Sequence, residues 1–236
     1  MLTLAQRGIH VERNLDLQKQ YHKDVTDENF WELVPQVWEY SELPVEILFN
    51  LYTAAKYCVK ANIQGDFVEC GVHLGGSIMI MEHVLMMGDS QPNRRIFALD
   101  TFTGFLRRTE GLDVDIETGV DACIPTENDD YTVGSIDNMR SVGFNNLVIV
   151  KGDVLETLPT LDTKRIALLR LDTDTYDTTK FELEQLYDRV AHGGVIIVDD
   201  YGYTIGCKKA VDDFVQDRSV CLQRINRNVR SWVKTD

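Results

Sequence analysis

The sequence has no apolar run that reaches the roughly 20 residues needed to cross a membrane, and it has no Cys-x-x-Cys pair. Basic residues are scarce: 24 Lys and Arg against 38 Asp and Glu leave a net charge of -14. That deficit argues against a nucleic-acid partner, because such binders present basic stripes. It argues equally against an anionic membrane surface. A small neutral or cationic ligand is compatible with it, although acidity alone means only solubility. Met1 to Arg7 lack the basic-then-apolar pattern of a signal peptide, so a cytoplasmic location is expected. The cysteines (Cys58, Cys70, Cys123, Cys207 and Cys221) are odd in number and scattered, which suits reduced thiols. No Cys/His cluster has zinc spacing.

What the chain does have is an alternation of strand and helix patterns from Asp66 onward. Apolar runs bounded by turn residues read as buried parallel strands. Five are expected: Asp66–Val72, Arg95–Asp100, Asn146–Asp153, Ile166–Asp172 and Gly194–Asp200. Ser77–Met87 reads as a helix apolar almost all round, its methionines Met79, Met81, Met86 and Met87 serving as core filler. A helix between the last two strands is expected to start from a Thr179/Glu182 capping box and to end at Gly193-Gly194. Another follows Gly206, and Val220–Ile225 with Val229–Lys234 close the chain as a strand pair. This predicts an α/β fold, a doubly wound and mostly parallel sheet with helices on both faces. Residues 1–43 read as an N-terminal helical or irregular arm, and 44–236 as a single Rossmann-like domain whose first helix opens at Pro44.

One stretch breaks the rhythm. Residues 106–135 form an insertion whose centre, Thr109 to Asp130, holds eight acidic residues and no basic one. It follows the second strand, so it would overhang the ligand rim. It reads either as a lid or binding loop, or as a solvated mobile stretch.

The fourth and fifth strands both end in carboxylates: Asp172 and Asp174 on one, Asp199 and Asp200 on the other. Open α/β sheets gather their ligands outside the carboxyl ends of the strands. Four carboxylates at one rim repel unless a cation neutralises them, and all-oxygen ligands suit Mg²⁺, Mn²⁺ or Ca²⁺. The alternative is that each Asp only caps a following helix or turn. The first strand runs into Glu69-Cys70-Gly71-Val72-His73-Leu74-Gly75-Gly76-Ser77. Its G-x-x-x-G-G spacing matches neither G-x-G-x-x-G nor a Walker A loop, and no Lys follows to grip a triphosphate. Glu69 would repel a pyrophosphate but could accept from an ammonium group. Asp100, ending the second strand, is placed for ribose hydroxyls. Gly152-Asp153, ending the third, could border an adenine. S-adenosylmethionine has all three parts, making Glu69, Gly71, Gly75, Ser77, Asp100, Gly152 and Asp153 the candidate cofactor contacts.

These segments resemble the macrocin and mycinamicin sugar O-methyltransferases. The resemblance is carried by Gly65–Val72, Gly75-Gly76-Ser77, Leu99–Phe105, Lys151–Pro159, Leu169–Tyr176 and Val198–Gly202, and runs from about Pro44 to Phe214. It implies a class I methyltransferase fold, S-adenosylmethionine and Mg²⁺; the all-oxygen ligand set also admits Mn²⁺. It also implies Asp172, Asp199 and Asp200 as metal ligands and Asp174 as general base. A small-molecule hydroxyl acceptor, a sugar or other vicinal diol, is then expected, as is a homo-oligomer. Three rival readings stay open. A haloacid-dehalogenase-type phosphatase shares D-x-D-x-T, although that motif opens its domain. A metal-dependent glycosyltransferase shares D-x-D. A cofactor-binding interaction protein would keep the pocket without turnover.

Overall fold

The computed structural model describes residues 13–107, 109–125 and 130–236; Met1 to Arg7 lie outside the described residues. Helices α1 (Leu15–Tyr21), α2 (Glu28–Val37) and α3 (Val45–Lys60) come first. Then follow β1 (Asp66–Cys70), α4 (Gly76–Met86), β2 (Ile96–Asp100), α5 (Thr132–Arg140), β3 (Leu147–Lys151) and α6 (Val154–Thr157). The second half holds β4 (Ile166–Leu171), α7 (Tyr176–Leu186), β5 (Val190–Val198), α8 (Ile205–Val215), β6 (Gln223–Arg224) and β7 (Arg230–Val233).

The strands form one seven-stranded sheet in the order β3-β2-β1-β4-β5-β7-β6. β1 to β5 are parallel, and β7 returns antiparallel between β5 and β6. The expected doubly wound sheet is therefore present. Strand residues alternate between two cores, as a pleat requires. Phe67, Leu168 and Ile197 join the cluster that holds Phe30, Leu48 and Ile78. Val68, Leu169 and Ile196 join the cluster that holds Leu183, Val211 and Trp232 on the other face. β1, β2 and β4 are buried throughout, which is why they read as unbroken apolar runs. Phe30, Trp31, Leu33 and Val34 of α2 belong to the first of these cores. No helix among the described residues is long and apolar enough to cross a membrane.

Local expectations fail at three points. α7 begins one turn earlier than a Thr179/Glu182 box allows: Thr175 caps it, accepting from the Thr178 N–H. Thr179 and Glu182 lie inside the helix and are buried. Gly193 and Gly194 do not end that helix, which stops at Leu186; they sit within β5, where Gly193 has φ +80° and the pairing with β4 shifts register. A glycine pair in a strand is a bulge signal as much as a helix stop. Met79 and Met81 are core residues, but Met86 and Met87 are 56% and 51% exposed where α4 emerges from the layer.

Candidate active site

The strand order reverses between β1 and β4, since the chain goes outward to β2 and β3 and then crosses back. A ligand crevice forms at such a switch point. Here a cavity of about 600 Å³ opens over the carboxyl ends of β1, β2, β4 and β5. Its walls include Gly71, Ser77, Asp100, Gly152, Asp153, Asp172, Asp174, Asp199 and Asp200, together with Tyr40 to Leu43 from the segment before α3. Gly71 has φ +82°, and a Cβ there would overlap the Asp172 carbonyl. The two strand ends meet at backbone distance only because that residue is glycine.

Asp172, Asp199 and Asp200 each offer a carboxylate oxygen within 4.8 Å of the others. Behind them lies Arg170, fully buried near the carboxyl end of β4. Its guanidinium donates to Asp172 at 2.7 Å and also pairs with Asp199 and Glu69. Burial works against its charge, but Asp172, Glu69 and Asp199 outweigh that and hold its pKa well above the ordinary value. One cation does not balance this many carboxylates. Burial, then repulsion from Asp172, raises Asp199 to about 7 despite Arg170. Burial and facing carboxylates push Asp200 and Asp174 well above the usual range. Asp200 Oδ2 is buried without a hydrogen-bond partner among the described residues. An all-oxygen set with surplus negative charge and an orphaned acceptor fits a hard divalent cation.

Arg170 lay within a quoted motif without a role. The signal for it was a charge inside a buried apolar strand, which is tolerated only when paired.

The cofactor-side residues divide. Asp100 lines the cavity, but its carboxylate is largely engaged: Oδ2 accepts from the Val72 and His73 N–H groups at 2.8 Å, and Oδ1 from Phe102 N–H at 2.7 Å. It locks the glycine loop as well as facing the ligand space. Asp153 caps α6 and pairs with Arg107, also at the cavity wall. Glu69 does not reach the wall. It is fully buried, taking a hydrogen bond from Ser77 at 2.6 Å and pairing with Arg170, and burial lifts its pKa to about 7 despite that pair. Gly75 does not line the cavity either: a Cβ there would overlap Met139, and at Gly76 one would overlap Ser41. Gly75 thus admits neighbouring protein rather than a ligand, whereas Gly76 packs on Ser41 and also lines the cavity.

The described part of the acidic insertion has contacts distant along the chain. Asp113 is fully buried and accepts from the Tyr176 N–H at 2.8 Å and from the Thr109 N–H. Asp115 bridges to Thr204, and Glu117 pairs with Arg227. Asp113 and Glu117 thus find partners far from them in sequence. Cys123 of the insertion joins the cavity wall.

Residues 35–233 match the family described as macrocin-O-methyltransferase (TylF). The demethyldecarbamoylnovobiocin O-methyltransferase of Streptomyces niveus is 29% identical over 199 residues, covering 81% of this chain and 74% of that protein. The 8-demethyl-8-(2,3-dimethoxy-alpha-L-rhamnosyl)-tetracenomycin-C 4'-O-methyltransferase of Streptomyces olivaceus is 32% identical over 67% of this chain and 62% of its own length. The solved structure of the O-methyltransferase NovP superimposes with a TM-score of 0.74 at 26% identity, covering 94% of this chain and 98% of that one. These matches set aside the phosphatase, glycosyltransferase and non-catalytic readings. The chain belongs to the macrocin-O-methyltransferase family, and is an O-methyltransferase of the class I, S-adenosylmethionine-dependent fold.

Proposed function

We propose that this protein methylates one hydroxyl of a vicinal diol, on a sugar of a natural product or glycan, using S-adenosylmethionine and Mg²⁺, with Mn²⁺ as the alternative. The observation that carries this reading is the Asp172, Asp199 and Asp200 cluster at one wall of the cavity. The rhamnosyl 4'-O-methyltransferase among the relatives supports a sugar acceptor. Asp172, Asp199 and Asp200 would hold the cation. When bound, the cation supplies Lewis acidity that eases proton loss from an acceptor hydroxyl.

Asp174 stands beside the cluster as the proton acceptor. In its ionised form Asp174 would take the proton of the acceptor hydroxyl. Asp100, Gly71, Ser77, Gly152 and Asp153 border the space for S-adenosylmethionine, with Asp100 nearest the ribose. Glu69 acts from behind the wall, through Ser77 and Arg170. Gly75 serves by shaping the loop. The residues place the two reactants in line and exclude water, which is where most of the rate would come from.

The test is release of S-adenosylhomocysteine with glycosides that carry a vicinal diol, against the same glycosides lacking one of the two hydroxyls. Turnover of the diols alone is expected. Equal turnover of the deoxy compounds would remove the diol from the reading. Failure to bind S-adenosylhomocysteine in calorimetry, with or without MgCl₂, would remove the cofactor assignment.

A further inference from the structure

Asp174 has φ +64°, in the left-handed region that non-glycine residues visit only singly, Asp more readily than most. Its side chain lines the same cavity as Asp172, Asp199 and Asp200. The turn is held from outside.

Two contacts hold it. Thr204 Oγ1 donates to the Asp174 carbonyl oxygen at 2.7 Å. The same hydroxyl accepts from the Cys207 N–H at 3.1 Å as the N-cap of α8. Thr204 is fully buried, so water does not compete for that hydroxyl. On the other side of the turn, Asp113 Oδ1 accepts from the Tyr176 N–H at 2.8 Å. The insertion and the α8 N-terminus are themselves joined, through the Asp115–Thr204 bridge and the Ile205 N–H to Val114 carbonyl bond. The Thr204 N–H also bonds the Asp200 carbonyl at 3.2 Å. One residue thus links the Asp174 backbone to the loop that bears Asp200.

We propose that Thr204 is a positioning residue for methyl transfer: its hydroxyl holds the Asp174 backbone in the left-handed turn that aims the carboxyl into the cluster, and Asp113 secures the same turn from the insertion. This deepens, and rests on, the reading of Asp174 as proton acceptor. Thr204→Val keeps the side-chain shape and removes the hydroxyl. Thr204→Ser keeps the hydroxyl.

The experiment follows methyl transfer from S-adenosylmethionine to methyl α-L-rhamnoside, a vicinal-diol probe, and solves the crystal structure of Thr204→Val. Thr204→Val should lower kcat roughly 10–100-fold, the scale of a small misplacement of a reacting group. KM for S-adenosylmethionine should stay within about two-fold, since only the chemical step is touched. Thr204→Ser should recover most of kcat. In an Asp174→Asn background, Thr204→Val should add nothing, because the two act as a unit. The crystal structure should show Asp174 out of the left-handed region. A loss of the same factor in the Asp174→Asn background, or a parallel rise in KM, would overturn the proposal. So would an Asp174 that keeps its positive φ in Thr204→Val, a readout independent of any acceptor. Full activity of Asp174→Asn by itself would instead refute the proton-acceptor reading and leave the positioning claim to the crystal structure.

Discussion

Arg170 of β4 donates across the strand pair to Asp199 at the end of β5, with both side chains almost wholly buried. Arg170 sits in register with Ile197, two residues before Asp199, so the guanidinium reaches forward to the strand ends. It is a built-in partial counter-charge for Glu69, Asp172 and Asp199.

Arg170→Met should therefore destabilise the metal-free protein by about 3–5 kcal/mol, the usual consequence of removing one partner from a buried ion pair. Urea unfolding measures this. MgCl₂ should raise the midpoint of the variant more than that of the wild type, because the cation replaces part of the lost charge. Equal midpoints for wild type and variant without metal would show that Arg170 does not hold the cluster.

Gly71→Ala should be poorly tolerated. The methyl would overlap the Asp172 carbonyl, and φ +82° disfavours any side chain. A loss on the order of 1–3 kcal/mol from the backbone alone is expected. If the variant folds, its Mg²⁺ affinity in calorimetry should fall, since Asp172 is the residue displaced. Unchanged affinity would separate the glycine from the cluster.

Glu82 gives a pH dependence away from the site. It is fully buried in α4, both carboxyl oxygens lack hydrogen-bond partners among the described residues, and burial raises its pKa to about 8. The folded state keeps this proton while the unfolded state releases it near 4.5, the ordinary value. Stability from this group is thus greatest below that value and declines as pH rises toward 8, where the penalty levels off. The loss reaches about 3 kcal/mol at pH 7. Glu82→Gln removes it, so the stability difference between variant and wild type should grow in favour of Gln from acid pH to about pH 8. Urea melts across that range measure the difference, and a difference independent of pH would show that Glu82 ionises freely.

The sheet was legible because its strands are buried on both faces and read as apolar runs ending in turn residues. The meeting of Asp172, Asp199 and Asp200 was legible because topology fixes where neighbouring parallel strands end. Contacts distant in sequence were not legible. Asp113 looked like one more charge in an acidic stretch, yet it caps a turn at Tyr176, 63 residues on. Glu69 looked like a ligand contact because strand ends face the crevice, but the Arg170 pair draws it behind the wall. Gly75 and Gly76 are required by Met139 and Ser41, which no local spacing reveals. The α7 start was misplaced because Thr175 and Thr179 are both acceptable caps locally, and packing of Glu182 into the interior selects the earlier one.

The central claim is a divalent-cation site made by Asp172, Asp199 and Asp200. Calorimetric titration of MgCl₂ into wild type and Asp199→Ala, paired with methyl transfer in excess EDTA, tests it most directly. The wild type should bind one Mg²⁺ per chain and lose turnover in EDTA. Asp199→Ala should lose Mg²⁺ binding yet still bind S-adenosylhomocysteine. Full turnover in EDTA, or undiminished Mg²⁺ binding by Asp199→Ala, would contradict the account.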